Sequence, residues 1–153
     1  MSIMRYKNDR QRGLAVIEFT IVLPVMLFLI LIVAELGRAF MYYNTLTRAV
    51  RDSARYVSAN ALKGQSQIVD IDAALVQAAQ NLVAYGNVAG TGATVLADGT
   101  IGTVVVIDQG GGVISVIATY PYTPMLGSVL PNFAGGGVVT SFTMQAQVTM
   151  QAI

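Results

Sequence analysis

The sequence has no cysteine and no histidine. Without cysteine the chain can form neither disulfide bonds nor thiolate metal sites. Without histidine it lacks the commonest metal ligand and the side chain that most often serves as a general base near neutral pH. These two absences weigh against a metal centre and against most hydrolytic active sites.

Charge is also scarce. Only 11% of the residues are charged and 54% are hydrophobic, and the mean hydropathy is +0.61. This composition is too apolar for an ordinary soluble domain and too polar for several membrane spans, so it predicts one membrane segment and one small domain. The net charge of +1 gives no indication of a nucleic-acid partner. A surface with so little charge suits a domain that is tethered or packed against others.

No catalytic constellation is visible, and we expect no cofactor and no metal. The acids of the distal half are scattered, and the last two flank turns, where aspartate is favoured anyway. Glycine-rich stretches occur near residues 90 and 110, but no phosphate-loop lysine follows them. A membrane-tethered enzyme with unusual chemistry remains a rival interpretation, which an activity requiring one of these acids would support. The acids are Asp70, Asp72, Asp98 and Asp108.

A long apolar run begins at Leu14 and ends at Ala34, and Glu18 is its only charged residue. As a helix these residues would be about 30 Å long, which matches a bilayer core. The core of a cleaved signal peptide is shorter and ends at a small-x-small site, which is missing here. The run therefore predicts a retained span. Bases lie on both sides of it, so the charge rule favours a cytoplasmic N-terminus only narrowly.

The helix is predicted to continue beyond the membrane, over residues 35–63, because no proline or glycine interrupts residues 38–63. Its polar face carries Arg48, Arg51 and Arg55, which either solvate the helix or contact lipid headgroups or acidic groups of a partner. Its apolar face is predicted to comprise Ala39, Tyr43, Leu46, Val50, Ala54, Val57 and Ala61.

Residues 64–153 are predicted to form a small α+β domain. Residues 67–85 have the period of an amphipathic helix, with Ile68, Ile71, Leu75, Ala79 and Leu82 on one face. The period then changes to two. Two strands flank the "QGGG" turn signal, and residues 138–150 alternate as a long strand with Phe142, Met144 and Val148 inward and Gln145 and Gln147 outward. A short strand near "ATVL" and a loop over residues 121–137 complete the expectation. The two helices are predicted to cover one face of a mainly antiparallel sheet.

The stretch "RGLAVIEFT" places bases and Gly13 directly before the apolar run, with Glu18 and Phe19 as the fifth and sixth residues after the glycine. This pattern resembles the processing region of type IV prepilins and pseudopilins. The wider segment, residues 12–58, resembles the TadE/TadG-like family of tight-adherence pilus assembly proteins. The resemblance rests on the Glu-Phe pair, the "LP" of the span, "ELGRAF" at its end and "YNTLTRAVRDSARY" on the helix.

The resemblance implies a single-span minor pseudopilin of the bacterial inner membrane with an extracytoplasmic domain. Residues 1–13 would be a basic cytoplasmic leader, which a prepilin peptidase removes by cutting between Gly13 and Leu14. Glu18 would then pair with the new amine of Leu14 on a neighbouring helix, or else reach the headgroups and pair with nothing. The implied partners are the peptidase, other pilins or pseudopilins and inner-membrane assembly proteins. The rival interpretation is an unprocessed, membrane-anchored extracytoplasmic scaffold or binding protein.

Overall fold

The computed structural model describes residues 9–62, 68–96, 101–125, 129–131, 137–139 and 141–153. The chain divides into two compact units, the first ending at Gly37 and the second beginning at Arg38. Two helices and five strands follow one another along the chain, which confirms the α+β class. They are α1 (Asp9–Asn60), α2 (Ala73–Tyr85), β1 (Val104–Gly110), β2 (Val113–Tyr122), β3 (Val129–Pro131), β4 (Gly137–Val139) and β5 (Phe142–Gln151).

Helix α1 is 52 residues long and continues through Pro24 without interruption. It begins at Asp9, five residues before the predicted start. In the first unit its apolar side chains are exposed, and an 18-residue window with a mean hydropathy of 2.9 has no buried residue. Among the described residues this is the one helix long and apolar enough to cross a membrane. Its sequence therefore supplies a hydrophobic surface that its own unit does not cover.

In the second unit one stripe of α1 forms a wall of the core. Leu46, Val50, Ala54 and Val57 are buried, as is Ala61 directly after the helix, which confirms most of the predicted apolar face. Tyr43 was assigned to this face wrongly, because 45% of its surface is exposed. Its neighbour Tyr42 packs against the core instead and stacks on Tyr120 of the sheet.

Helix α2 starts later than the periodicity predicts. Asp72 has an extended backbone and its side chain accepts a hydrogen bond from the Leu75 amide at 2.7 Å, so it caps the helix and fixes the start at Ala73. Residues 68–71 lie before the helix, and Ile68 is 68% exposed, so its assignment to the buried face is wrong. Gly86 ends the helix at φ 71°, a conformation that glycine adopts without strain. The buried face comprises Leu75, Ala78, Ala79 and Val83.

The main sheet has the order β1-β2-β5, and both pairings are antiparallel. The predicted hairpin is confirmed: Gly110, Gly111 and Gly112 turn the chain with φ of 83°, 63° and 78°, which β-carbons would penalise. Residues 93–96 form bends, so the predicted strand near "ATVL" is wrong for these residues. Strands β3 and β4 form a separate two-stranded sheet. The loop predicted over residues 121–137 is therefore wrong for β3 and for Gly137 of β4, and also for the last residues of β2, which continues to Tyr122.

The C-terminal alternation is divided between two strands. Strand β4 pairs with β3, and β5 starts only at Phe142. Met144 and Ala146 are buried, whereas Gln145 and Gln147 are exposed. The predicted inward face of β5 is therefore confirmed for these residues. Phe142 is 52% exposed, and its assignment to the core is wrong because it lies at the end of the strand.

The sheet is tied to α1 at both ends of the second unit. The Arg38 side chain donates to the Thr123 carbonyl at 2.9 Å, just beyond β2. At the other end the Ile153 amide donates to the Ser58 carbonyl at 3.0 Å, just beyond β5. Because β2 and β5 are antiparallel, β5 begins near Arg38 and ends near Ser58. The core lies between the α1 stripe, α2 and the inward side chains of the sheet.

Three variants of β5 test the inward face. Met144→Ala should lower the free energy of unfolding by about 2–5 kcal/mol, because it removes a buried side chain. Gln145→Ala should change it by no more than about 0.5 kcal/mol, as is usual for exposed positions. Phe142→Ala should lie between them. Urea unfolding in detergent, followed by tyrosine fluorescence, measures all three, and a Phe142→Ala loss equal to that of Met144→Ala would contradict the assignment.

Candidate functional site

The predicted processing residues lie on the exposed N-terminal part of α1. Gly13 and Leu14 are consecutive helical residues, and Leu14 is 70% exposed. Glu18 follows one turn later and is also exposed. Four residues of helix rise about 6 Å and return to the same face, so the Leu14 backbone and the Glu18 carboxylate lie one above the other. Leu14 and Glu18 therefore share one face of the helix, whereas Gly13 lies about 140° around the axis from Glu18.

Gly13 has no packing role among the described residues. A β-carbon built at this position meets no atom within 4 Å. Glycine inside a helix costs about 1 kcal/mol relative to alanine, so the sequence accepts a less stable helix here without a contact that requires it. Gly37 has the same open surroundings. Packing among the described residues thus does not explain the glycine at residue 13.

The surroundings of Glu18 are apolar and open. Val16, Ile17, Phe19 and Ile21 are each at least 60% exposed. The nearby hydroxyl of Thr20 donates a hydrogen bond to the Val16 carbonyl at 2.8 Å, so its acceptor lies within the same helix. In a bilayer a carboxylate costs about 2.5–3.5 kcal/mol at the centre and less towards the interface. A cation from outside this helix would offset that cost.

The three arginines of the polar face occupy a second exposed surface. Arg48, Arg51 and Arg55 are exposed on α1, on the side of the helix away from the buried stripe. Asp52 lies among them and is exposed as well. Spacings of three and four residues align the three side chains along the helix. This surface therefore has a surplus of positive charge that anionic groups could neutralise.

A cluster of aromatic rings surrounds Arg38, and the sequence did not predict it. The guanidinium carbon of Arg38 lies 5.0 Å from the centre of the Tyr122 ring and 5.6 Å from that of Tyr42. Tyr42 stacks on Tyr120 at 5.7 Å, and Tyr122 contacts Phe142 at 5.2 Å. Cation–π contacts and the hydrogen bond to Thr123 hold Arg38 between helix and sheet. The only sequence signal was the spacing of aromatic residues in "GRAFMYY" and "TYPYTP".

The aspartates of the distal half have local structural roles. Asp72 caps α2, and Asp108 accepts a hydrogen bond from the Gly110 amide at 2.8 Å in the hairpin. Asp98 lies outside the described residues. A cavity of about 660 Å³ at the Ser58 end is lined by Asp108, Gln151 and apolar residues. Within the described ranges no three acidic, histidine or cysteine residues come together in a way that could hold a metal ion.

Residues 13–55 match the family model described as TadE-like protein. The match begins at Gly13, includes Glu18 and all three arginines of the polar face, and ends before α1 does. It does not extend to α2 or to the strands. Neither a curated protein nor a solved structure matches the chain. The resemblance drawn from the sequence is confirmed for residues 13–55, which are similar to TadE-like proteins.

Proposed function

We propose that this protein is a minor, pseudopilin-like structural component of tight-adherence pilus assembly, processed after Gly13 by a prepilin peptidase. The TadE-like match associates the chain with tight-adherence pili, and the exposed apolar helix fits membrane anchoring. In this proposal residues 14–34 span the bacterial inner membrane. Residues 1–13 face the cytoplasm, and the second unit faces the other side.

The observation that carries the proposal is an exposed apolar helix with a single carboxylate, Glu18, five residues after Gly13. The described chain covers neither this helix nor Glu18, and packing does not account for Gly13. A peptidase with a narrow groove would account for the glycine, and a cation from an adjacent subunit would account for the acid. Both explanations require partners outside the chain, as assembly does.

Cleavage would create the cation that Glu18 needs. Cutting after Gly13 gives Leu14 a free amine, one turn from its own Glu18 and equally able to approach the Glu18 of an adjacent helix. In a hydrocarbon environment the pairing of amine and carboxylate offsets the cost of both charges. Pairing between adjacent helices would also fix their stagger, because Leu14 of one would be level with Glu18 of the next.

One observation favours the rival function, an unprocessed membrane anchor for an extracytoplasmic scaffold. Helix α1 begins at Asp9 and passes through the Gly13–Leu14 bond, whereas proteases bind extended backbone. For cleavage the residues from Asp9 to Leu14 must unwind. They are the first turns of the helix, where several amides lack partners, and glycine lowers the cost of unwinding further. Intact mass from native membranes distinguishes a processed protein from an unprocessed one.

Changing Gly13 to valine should block processing. The branched side chain should prevent the backbone from entering the peptidase and should leave a full-length precursor in the membrane. Gly37→Val is the matched control, because Gly37 lies on the same helix in equally open surroundings but away from the cut. Intact mass of both variants, with and without the peptidase, gives the result. Wild-type protein that keeps residues 1–13 beside an active peptidase would refute processing.

Glu18→Gln should separate cutting from assembly. The residue lies beyond the scissile bond, so most of the protein should still be cut, and membrane insertion should not decrease because the span becomes more apolar. Without the negative charge the Leu14 amine loses its partner, and pilus counts by electron microscopy should fall. Glu18→Asp keeps the charge and should retain part of the function. Normal pili from Glu18→Gln would show that the pairing role is wrong even if cleavage stands.

Reversing Arg48, Arg51 and Arg55 to glutamate should abolish co-purification with other pilus proteins if these side chains meet acidic partner surfaces. The fold should persist, because all three are exposed and outside the core. The triple Arg→Gln variant is the control for loss of charge without reversal, and it should weaken binding less. Co-purification that survives the triple reversal would leave the arginines with a solvating role only.

A further inference from the structure

Five large apolar side chains are exposed in the part of the second unit that contains Arg38. We call them the rim. On α1 the rim comprises Phe40, Met41 and Tyr43, which are 66%, 71% and 45% exposed. On the sheet side it comprises Met125, just beyond β2, and Phe142, at the start of β5, which are 79% and 52% exposed.

Contacts around Arg38 place the two sheet residues level with the three helix residues. Arg38 binds the Thr123 carbonyl, two residues before Met125. It also lies against the Tyr122 ring, which contacts Phe142 and is its partner in the β2–β5 register. The rim therefore surrounds one end of the second unit.

The rim is free of charge apart from Arg38 itself. On α1 the next charged residue after Arg38 is Arg48, ten residues and about 15 Å further along the axis. The strand ends at this level, "TYPYTPM" and "SFTMQ", contain no charged residue. Elsewhere in this unit Val88 and Ile107 are about 40% exposed, and Ile68 and Ile153, which line the cavity beside Asp108, are 68% and 81% exposed. The rim differs from that second apolar surface because the strand ends beside it carry no charge. On the other side of Arg38 the nearest charged residue is Glu35, three residues before it.

This end follows directly on the membrane segment of the proposed function, on which the inference rests. Arg38 comes four residues after Ala34, the last residue of the proposed span, and four residues of helix rise about 6 Å. Bilayer headgroup layers are about 5–8 Å thick on each side. The backbones of Phe40, Met41 and Tyr43 lie about 9, 10.5 and 13.5 Å beyond Ala34 along the axis. Helical side chains lean towards the N-terminus, so Phe40 and Met41 reach back to the headgroup layer and Tyr43 reaches its water side. Tyrosine and arginine also commonly lie at this interface.

We propose that the rim lies in the lipid headgroup layer, so that the sheet end of the domain, and not only the helix, contacts the bilayer. The occupant of the rim is phospholipid. Arg38 acts as a positioning residue: by holding Tyr122 and Thr123 against the first turns of α1, it keeps Met125 and Phe142 at the depth of the helix residues. Without this contact the strand ends would be free to rise into water while the helix remains in place.

The absence of cysteine allows single nitroxide labels without background. Full-length protein carrying Met125→Cys or Phe142→Cys is labelled and reconstituted in vesicles of phosphatidylcholine and phosphatidylglycerol. Collision rates with oxygen, which partitions into lipid, and with a water-soluble nickel chelate then report depth. Leu27→Cys is the control within the span, and Asp108→Cys is the control at the far end of the domain. The ratio of oxygen to nickel collisions should be higher at 125 and 142 than at 108 and lower than at 27, because oxygen is enriched over the chelate most strongly in the hydrocarbon core.

Two results would overturn the proposal and are distinguishable from failure of the proposed function. If residue 27 is in lipid while 125 and 142 give the ratio of 108, the span stands and the rim is held in water. If labels at 125 and 142 are shielded from both reagents, protein covers the rim instead of lipid. Water exposure at residue 27 would instead refute the span, and with it both proposals.

Arg38→Gln tests the positioning role on the same labels. The oxygen-to-nickel ratio should fall at Phe142→Cys and stay unchanged at Phe40→Cys, because only the strand end loses its attachment. Arg38→Lys keeps the charge but not the planar group and should restore only part of the ratio. An unchanged ratio at 142 would refute this role for Arg38. Near-ultraviolet circular dichroism checks that each variant retains its tyrosine packing.

Phe142→Ser provides an independent test, because it leaves Arg38 intact. It should weaken the contact of a Met125→Cys label with lipid.

Discussion

The whole structure depends on one constraint: a single uninterrupted helix presents an apolar surface over its first half and an amphipathic one over its second. Over its first half α1 exposes apolar side chains all round, with no buried residue in its most hydrophobic window. Over its second half the same helix buries a narrow stripe and exposes arginines. The change occurs near Arg38, which is also where the second unit begins. The register of the helix therefore determines where the sheet can dock, because only the stripe from Leu46 to Ala61 offers it an apolar wall.

The distribution of charge follows the same division. Glu18 is alone in an apolar region, whereas Arg38 is surrounded by aromatic rings and a carbonyl oxygen. The three arginines of the polar face lie in the open. The structure supplies the partners of Arg38. In the proposed function a cation would meet Glu18 and anionic groups would meet the three arginines. The few charges of the chain thus lie in three different environments.

Much of this architecture could be predicted because it has local causes. The helical period, the glycine hairpin and the inward face of β5 each depend on residues close together in sequence. The errors also have identifiable causes. Periodicity extended α2 back to residue 67, but the Asp72 side chain fixes a later start. Period alone did not distinguish Tyr42 from Tyr43, because both spacings occur on one face. Phe142 alternates in step with the core residues Met144 and Ala146, but it lies at the end of the strand and is largely exposed.

The candidate processing and pairing residues Gly13, Leu14 and Glu18 could be proposed from the sequence because their signal is a short linear pattern. The Arg38 cluster could not be predicted, because it joins residues 85 positions apart and no local pattern indicates such a contact. The break between β4 and β5 was hidden for a similar reason. Alternation runs through residues 138–150, but whether it continues as one strand depends on the partner available to each part, and residues 137–139 pair with β3 instead.

The order of α1 and β5 along the chain has a consequence for how the second unit folds. Synthesis delivers the α1 stripe long before β5, yet Met144 and Ala146 of β5 belong to the same core as that stripe. Contacts between such distant segments slow folding. Until β5 has been made, Val50, Ala54 and Val57 lack part of their apolar cover, and a chain that stopped before residue 142 would keep them partly exposed.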